Sequence, residues 1–443
     1  MPRLPEFAPP SMRSRLPEFL WPSSLDARPF VSTAAGSGAL AVAGLLSGML
    51  AARLLGVEGR GELAAAQAWP LFLANLGGFG LPEAVAYFAA RTPSRARATL
   101  ATGLVLAVPL TIAGVVAGVW LLPHVLGSNP AGVQRVATMC LVLVPLLTFT
   151  AAPLQAIRGV GRYASWNVLR LITPLTWLGT LLVIQGTESA SVRTLAIAFI
   201  GTTALAGIAS HLYAWKTLAG TVHPDRSLVR PMLAYSAPTM AAAVPHWLNL
   251  RLDQLIVIAL LDARALGLYV VAVAWSSAAH PLAMVVAHNA VPALAAMPDS
   301  RRRADLVYRA GAVAAVVTSV LLLAATPVLL PMIFGTEFQA AVPVALVMVL
   351  AGAVEATNLV GAECLRGIGR PRAILVAECV GLAVTAVALP LLVLAGGIMG
   401  AAVASLVSYS AILVVQRRLM LTARPHSALD LAAQIPPKLD PVA

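Results

Sequence analysis

Three polar side chains lie within one long apolar segment and could together accept an ion or a proton. His246, Asn249 and Asp253 are spaced i, i+3 and i+7, which places them on one face of an unbroken helix. An ionisable group at the centre of a bilayer costs about 2.5–3.5 kcal/mol on insertion scales, so each one needs a partner or a function. Two interpretations of Asp253 stay open. It is an ion or proton acceptor in the wall of a central cavity, or it forms an inter-helix hydrogen bond or ion pair that holds the bundle together.

Other ionisable residues inside apolar segments carry weaker signals. Arg170 could attract a diphosphate, because a guanidinium matches phosphate oxygens, or it could extend to the membrane interface. Glu355 and Glu378 are candidate proton carriers. Glu363 lies three residues before Arg366, a spacing that predicts an ion pair at a helix end. A mid-segment histidine such as the one at position 280 is more typical of a packing residue than of a ligand.

A Gly- and Pro-rich stretch separates two further polar residues. Asn75 and Glu83 flank residues 77–82, which contain three glycines and one proline. Glycine and proline at membrane depth predict a bent or unwound segment, which is tolerated where it is buried in protein or lines a cavity.

The composition places the chain in a membrane. It is 59% hydrophobic and 11% charged, whereas soluble domains carry about 25% charged residues. The net charge of +12 is spread in short clusters between apolar runs, a pattern typical of contact with anionic membrane lipids, so we expect no nucleic-acid partner. Three cysteines at irregular spacing predict neither a disulfide framework nor a metal site. The sequence contains no catalytic motif, so we expect neither an enzyme nor a cofactor.

The apolar runs predict an all-α polytopic membrane protein, because about 20 apolar residues form a helix that crosses a bilayer. Twelve spans are predicted, near 32–55, 62–89, 98–122, 132–156, 162–185, 193–217, 231–261, 265–296, 306–333, 338–365, 371–395 and 397–420. Of the 30 Lys and Arg residues, 23 lie in the segments on one side and five on the other. Because basic residues accumulate in cytoplasmic loops, both termini are predicted to be cytoplasmic.

Two sequence echoes predict an internal duplication. Arg-Gly-Val-Gly-Arg at 158–162 returns as Arg-Gly-Ile-Gly-Arg at 366–370, in turns between predicted spans. Six upstream residues also recur at a shift of 206, where Leu54, Leu55, Gly61, Ala66, Ala68 and Trp69 match Leu260, Leu261, Gly267, Ala272, Ala274 and Trp275. The agreeing offsets predict two pseudo-symmetric six-helix lobes related by an axis along the membrane normal.

The duplication also predicts where a site would lie. Duplicated halves are the usual architecture of transporters, with the substrate site between them. The offset aligns Glu83 with Asn289, so these two polar residues could face each other across the pseudo-axis. Alternatively, Glu83 lies near the cytoplasmic interface and reaches water.

The predicted spans divide the chain into five parts. These are a disordered cytoplasmic leader (1–30), an N-lobe (31–217), a cytoplasmic linker (218–230), a C-lobe (231–420) and a disordered cytoplasmic tail (421–443). Both ends contain several prolines and show no helical periodicity, which is typical of disordered segments.

Three stretches resemble a known family. Residues 51–62 (Ala-Ala-Arg-Leu-Leu-Gly-Val-Glu-Gly-Arg-Gly-Glu), 248–254 (Leu-Asn-Leu-Arg-Leu-Asp-Gln) and 265–269 (Ala-Leu-Gly-Leu-Tyr) are similar to polysaccharide-transporter proteins. These are Wzx-type oligosaccharide flippases of the multidrug/oligosaccharidyl-lipid/polysaccharide (MOP) exporter superfamily, whose fold is shared with the MATE transporters. The likeness extends over about residues 30–420.

The resemblance implies a fold, an activity and a set of cavity residues. Two six-helix lobes would surround a cavity lined mainly by the first, second, seventh and eighth spans. Alternating access would carry a polyprenyl-diphosphate-linked oligosaccharide across the cytoplasmic membrane, coupled to protons or sodium ions. By position, the cavity residues would be Arg53, Asn75, Glu83, Asn249 and Asp253. A polysaccharide polymerase or a glycosyltransferase is a possible partner beside the membrane lipids.

Two other functions compete with this one. A cation-coupled multidrug exporter would have the same fold, and a non-transporting assembly partner of an envelope polymerase would have the same span pattern. A drug exporter predicts altered sensitivity to cationic, planar compounds, whereas a flippase predicts a defect in the cell envelope.

Overall fold

The chain folds into long helices, as seen in a computed structural model that describes residues 27–127, 130–187, 189–284, 300–368 and 370–422. Within these ranges the chain forms helices and no β-strand. This confirms the prediction of an all-α fold.

Thirteen α-helices are labelled here in chain order. They are α1 (Ala27–Gly77), α2 (Leu81–Arg91), α3 (Ala96–Leu126), α4 (Ala131–Cys140), α5 (Leu143–Gly159), α6 (Tyr163–Gly186), α7 (Val192–Thr217), α8 (Arg226–Asn249), α9 (Leu252–Leu260), α10 (Ala263–Ser276), α11 (Ser300–Phe334), α12 (Val342–Gly367) and α13 (Pro371–Leu421). Three short 3₁₀ turns lie at Pro93–Arg95, Ser277–Ala279 and Thr336–Ala341. Residues 280–284 are also helical.

Nine helical stretches of the described chain are long and apolar enough to cross a membrane. Two of them, Gly36–Arg91 and Pro371–Leu421, change direction at Gly56 and Gly397. The φ angles of +67° and +57° at these positions suit glycine, which has no Cβ. The pair α8 and α9, which covers the seventh predicted span, is not among the nine. The protein is a multi-pass membrane protein, while the count of twelve spans and the cytoplasmic position of the termini stay predictions.

The predicted bend in the second span is confirmed. The helix α1 ends at Gly77 and α2 begins at Leu81. Between them Phe79 and Gly80 have φ angles of +46° and +68°. The backbone therefore leaves the helical path at the Gly-rich stretch that the sequence singled out.

The prediction of an unbroken seventh helix is wrong. The helix α8 ends at Asn249 and α9 begins at Leu252. The amide of Arg251 bonds to the carbonyl of Leu248, a tighter turn that closes α8. The break changes the direction of the chain between Asn249 and Asp253, so the argument that both lie on one face of a continuous helix fails.

The predicted boundaries of the terminal segments differ slightly from the structure. The helix α1 begins at Ala27, inside the predicted leader, and α13 ends at Leu421, the first residue of the predicted tail. Residues 1–26 and 423–443 lie outside the described residues, so the prediction of disorder there is not addressed by the structure.

The helices pack in two groups that follow the two halves of the sequence. In the first half, α1 packs against α6, and α5 packs against α2 and α7. In the second half, α12 packs between α11 and α13. Large apolar side chains such as those of Trp120, Leu321 and Leu394 are exposed on the outside of these groups. Apolar surface of this extent fits contact with lipid chains and not with water.

The segment between the halves is held by the turn that joins α2 to α3. The Arg97 guanidinium donates to the Leu218 carbonyl at 2.7 Å, and Arg95 forms an ion pair with Asp225 at 3.1 Å. Hydrogen bonds from Ser227, together with the charge of Arg95, hold the pKa of the Asp225 carboxyl below its usual range. The carboxylate is therefore ionised near neutral pH and both caps α8 and fixes the linker.

The halves meet backbone to backbone at the end predicted to face away from the cytoplasm. Gly61 of α1 lies against α10, where an added methyl group would be 1.6 Å from the Ala263 carbonyl oxygen. A methyl group at Gly267 would be 2.0 Å from the Val57 carbonyl oxygen. Gly61 and Gly267 are one of the residue pairs that the internal repeat aligns, so equivalent glycines of the two halves form this contact.

We expect Gly61→Ala to separate the halves at this end, because its methyl group cannot fit beside the Ala263 carbonyl. Spin labels at Glu58→Cys and Glu337→Cys, both exposed and on opposite halves, would report a longer distance by double electron–electron resonance. The matched control is Gly179→Ala, since a methyl group there meets nothing within 4 Å. An unchanged distance in Gly61→Ala would contradict the close contact.

Candidate functional site

The C-terminal half contains a polar cavity of about 240 Å³ among α8, α12 and α13. Its polar lining residues are His246, Asn249, Glu355, Asn358, Glu363, Arg366, Glu378 and Tyr409. Three of the eight are acidic, and two others, His246 and Asn249, are sequence-predicted site residues. The cavity is therefore the part of the described structure where candidate residues and an open space coincide.

Glu378 of α13 is the centre of the hydrogen bonds in this cavity. It is 6% exposed. The His246 Nδ1 atom lies 3.1 Å from its Oε1 atom, and Asn249 Nδ2 donates to its Oε2 atom at 3.0 Å. Two predicted site residues thus meet at a carboxylate that sequence analysis treated only as a candidate proton carrier.

The other end of the Asn249 amide is also bound. Thr385 Oγ1 lies 3.2 Å from Asn249 Oδ1 and 2.7 Å from Ser408 Oγ. Buried polar groups need partners, because an unpaired one costs on the order of 2–7 kcal/mol. Asn249 therefore fixes the end of α8 to α13 and sets the position of Glu378.

A second acidic group lies across the cavity on α12. Glu355 Oε2 is 3.4 Å from His280 Nε2. Next to it, Asn358 Nδ2 donates to the Tyr409 carbonyl at 2.9 Å, while its buried Oδ1 atom has no hydrogen-bond partner in the described part of the chain. Carboxylate and amide oxygens thus face a shared space, which is the chemistry that a proton or a small hard cation requires.

Among the described residues, no group of three His, Cys, Asp or Glu side chains is close enough to hold a metal ion.

The ion pair predicted at the end of α12 is confirmed, since Arg366 contacts Glu363. This pair closes one edge of the cavity.

Asp253 lies in a separate, fully packed site. Tyr269 Oη donates to its Oδ2 atom at 2.7 Å, and the amide of Gln254 donates to its Oδ1 atom at 2.7 Å. The Tyr269 hydroxyl is also 3.3 Å from Ser405 Oγ. The carboxylate thus joins α9, α10 and α13.

The break at Leu250–Arg251 explains why the polar residues do not face the other half. Leu248 and Leu255 pack against Ala68 and Phe72 of α1 in the N-terminal half. Asn249 and the Asp253 carboxylate bind helices of the C-terminal half instead. Asp253 thus makes an inter-helix hydrogen bond, as one of the two interpretations holds, while His246 and Asn249 line a cavity within the C-terminal half. A role of these residues in binding an ion stays a prediction.

The residues around the bend between α1 and α2 lie at the boundary of the halves. Ser236 Oγ donates to the Gly80 carbonyl at 3.3 Å, and the ring of Tyr87 stacks on that of Tyr235 with centroids 4.4 Å apart. Glu83 is half-buried close to Tyr235, and Asn75 is exposed. Glu83 thus lies near the boundary of the halves, and neither Asn75 nor Glu83 lines the polar cavity.

The two predicted site arginines lie apart from each other. Arg53 donates to the carbonyl groups of Ile333 and Met332 at 2.8 and 2.6 Å, which adds a link between the halves near Gly61. Arg170 Nη2 donates to Ser37 Oγ at 3.1 Å inside the N-terminal half. Asn289 lies outside the described residues, and its alignment with Glu83 stays a prediction.

Sequence analysis missed Thr385 and Ser408, which complete the network around Asn249. One signal was present, because Thr385 follows Glu378 by seven residues and so shares its helix face. Ser408 gave no such signal, since its role depends on how the two segments of α13 pack.

Several solved structures share this fold. One is titled "Lipid II flippase MurJ, inward closed conformation", with 14% identity, a TM-score of 0.70, and 88% of this chain and 87% of that chain covered. Another is an inward-facing multidrug resistance MATE family transporter of the MOP superfamily, with 13% identity, a TM-score of 0.69, and coverage of 86% and 94%. A third is a ligand complex of the MATE multidrug transporter DinF-BH, with 15% identity, a TM-score of 0.65, and coverage of 93% and 96%.

These similarities show that the chain has the fold of these flippase and transporter structures. Residues 28–298 match the model of the family described as polysaccharide biosynthesis protein, which is more than half of the chain. The chain belongs to that family. No curated protein matches the sequence. The proteins matched by family and fold are transporters and flippases and not enzymes.

We expect Tyr269→Phe to lower the free energy of unfolding by about 1–3 kcal/mol, because it removes a hydrogen bond to the buried Asp253 carboxylate. Denaturation of the detergent-solubilised protein would measure the loss. Tyr308→Phe is the control, since a phenyl ring still lies beneath the Arg417 guanidinium, as the tyrosine ring does at 4.9 Å. Equal stability of Tyr269→Phe and the wild type would contradict the packed Asp253 site.

Proposed function

We propose that this protein is a flippase that moves a polyprenyl-diphosphate-linked oligosaccharide, or a related cell-envelope precursor, across the cytoplasmic membrane. The observation that carries the proposal is membership of the polysaccharide biosynthesis protein family over residues 28–298. The fold similarity to a structure titled as a lipid II flippase supports the same class of cargo.

This two-lobed architecture can overcome the main physical obstacle to moving such a cargo. A glycan carries many hydroxyl groups, and each one placed unpaired in hydrocarbon costs on the order of 2–7 kcal/mol. A polar surface between two lobes can bind the glycan while the lipid chain stays in the bilayer. Asn75 and Glu83, beside the bend at the boundary of the halves, are the residues we assign to this surface.

Alternating access requires contacts that close at one end and open at the other. The Gly61–Gly267 contact and the bonds from Arg53 to the carbonyl groups of Ile333 and Met332 close the end predicted to be extracytoplasmic. In this proposal they separate when the cargo leaves, which tilts the lobes apart at that end.

Ion coupling is assigned to the polar cavity of the C-terminal half. Glu378 and Glu355 would accept a proton or, with the free Asn358 Oδ1 atom, help to bind a sodium ion. Because Glu378 binds both His246 and Asn249, a change in its charge would alter how α8 is attached to α13. That attachment lies next to the break between α8 and α9, where a small change in backbone angles would alter the angle between the two helices.

A second function is favoured by a specific observation. Two of the similar structures are multidrug transporters of the same fold. A cation-coupled drug exporter is therefore the alternative, and the inter-lobe surface would then bind cationic, planar compounds.

The proposed function is tested with a strain that lacks the gene. We expect the lipid-linked intermediate to accumulate on the cytoplasmic leaflet, because its glycan cannot cross unaided. Accessibility of the glycan to an added lectin in inside-out and right-side-out vesicles measures the leaflet. Unchanged envelope glycan together with increased sensitivity to cationic drugs would instead establish the alternative.

A substitution in the cavity tests ion coupling. We expect Glu378→Gln to reduce gradient-driven transport in proteoliposomes by about 5- to 150-fold, the range that coupling energies of about 1–3 kcal/mol produce. Glutamine keeps the size of the side chain and one acceptor oxygen for Asn249 Nδ2, while it removes the charge and the second acceptor. Glu58→Gln, on an exposed residue, is the control. Full gradient-driven transport by Glu378→Gln would remove the cavity from the coupling mechanism.

A further inference from the structure

The N-terminal half contains a second cavity, of about 330 Å³, between α1, α6 and α7. Its lining residues include Ser47, Arg60, Gln67, Thr173, Trp177 and Phe199. It shares no residue with the polar cavity of the C-terminal half. Small-molecule sites have volumes of about 300–1,000 Å³, so this space is large enough for a small ligand or a lipid headgroup.

Arg60 is the ionisable residue that lines this cavity. Its Nε atom is buried without a hydrogen-bond partner in the described part of the chain. The ion pairs found among the described residues do not include Arg60, although Glu58 and Glu62 are close in sequence. Arg60 is half-buried, so its guanidinium reaches the cavity while its buried Nε donor has no acceptor, and an oxyanion in the cavity would supply one.

The size of the cavity depends on two glycines in its lining. Gly44 and Gly48 of α1 line it, and a methyl group on either would meet nothing within 4 Å. Trp177 and Phe199 form a firm wall, with ring centroids 5.4 Å apart in an edge-to-face arrangement. Glycines, two aromatic rings and the Arg60 guanidinium therefore share the lining of this open space.

The chemistry of the donor selects the ligand. A guanidinium presents donors in a planar fork that matches the oxygens of a phosphate or a carboxylate. We propose that the cavity of the N-terminal half is an oxyanion site in which Arg60 binds a phosphate group, carried by an anionic lipid headgroup or by a free solute. The site is separate from the proposed ion-coupling cavity, and it does not depend on the identity of the cargo.

Ligand-induced thermal stabilisation tests this site in the full-length purified protein. Inorganic phosphate, and separately phosphatidylglycerol in micelles of a phosphate-free neutral detergent, are added to the protein in a chloride buffer. We expect one of the two to raise the Tm in a saturable way by roughly 1–2 °C, because a given stabilisation shifts the Tm less in a longer chain. A shift with phosphate alone identifies a free oxyanion as ligand, and a shift only with the anionic lipid identifies a headgroup.

Two variants separate binding from folding. Arg60→Met is expected to lose the ligand-induced shift while its Tm without ligand is equal to or above that of the wild type, because an unpaired, half-buried charge is removed. Gly48→Leu fills the cavity without altering Arg60 and is expected to lose the shift as well. Arg193→Gln, which changes an exposed arginine of α7 outside the cavity, keeps it.

Either of two results with the wild type and Arg60→Met overturns the proposal. One is a wild-type protein whose Tm responds to neither probe. The other is a shift of equal size in the wild type and in Arg60→Met, which would place the anion elsewhere. If Arg60→Met does not fold, Arg60→Lys retains the charge without the fork, and we expect it to need about tenfold more ligand for the same shift. An unchanged ligand requirement in Arg60→Lys also overturns the proposal.

Discussion

The arrangement of the two halves depends on one constraint. The backbone of α1 at Gly61 directly contacts the backbone of α10. No side chain separates α1 from α10 there, and a single methyl group on either glycine would overlap a carbonyl oxygen of the other half. The contact leaves no room for a side chain, so it forms only when the halves are fully closed at this end. Any separation of the halves breaks it. The Arg53 bonds to the carbonyl groups of Ile333 and Met332 depend on the same closure. Equivalent glycines of the two halves thus form the closest backbone contact described between them, beside side-chain contacts such as that of Ser236 with Gly80.

Polar residues inside the second half follow a different constraint, which is that each buried group needs a partner. Glu378 has His246 and Asn249, and Asp253 has Tyr269. The consequence is that the polar side chains hold helices of one half to each other, so that half can move as a body. The cavity remains where the partners are incomplete, beside the Asn358 Oδ1 atom. Under the proposed ion coupling, an ion would bind at this open position and satisfy the Asn358 Oδ1 atom.

Sequence patterns predicted the features that depend on local chemistry. The bend after Gly77 followed from the density of glycine and proline, and the duplication followed from two short echoes with agreeing offsets. The partners of Asn249 and Asp253 could not be predicted, because they depend on the break after Asn249, where no glycine interrupts the helix and the proline at 245 lies a full turn earlier. A period of 3.6 residues places side chains correctly only while the helix continues. The break therefore separates Asp253 from the face of α8 on which His246 and Asn249 meet Glu378.

The duplication also shows how two similar halves acquired different roles. Arg170 and Glu378 occupy equivalent positions, twelve residues after the first arginine of the repeated phrase. Each contacts the first helix of its own half, Arg170 through Ser37 and Glu378 through His246. The geometry is kept while the sign of the charge is reversed. An arginine retains its proton under all ordinary conditions, whereas a buried carboxylate can gain one. Under the proposed ion coupling, the N-terminal half would hold its attachment constant while the C-terminal half changed, and that difference would give the movement of the lobes a direction.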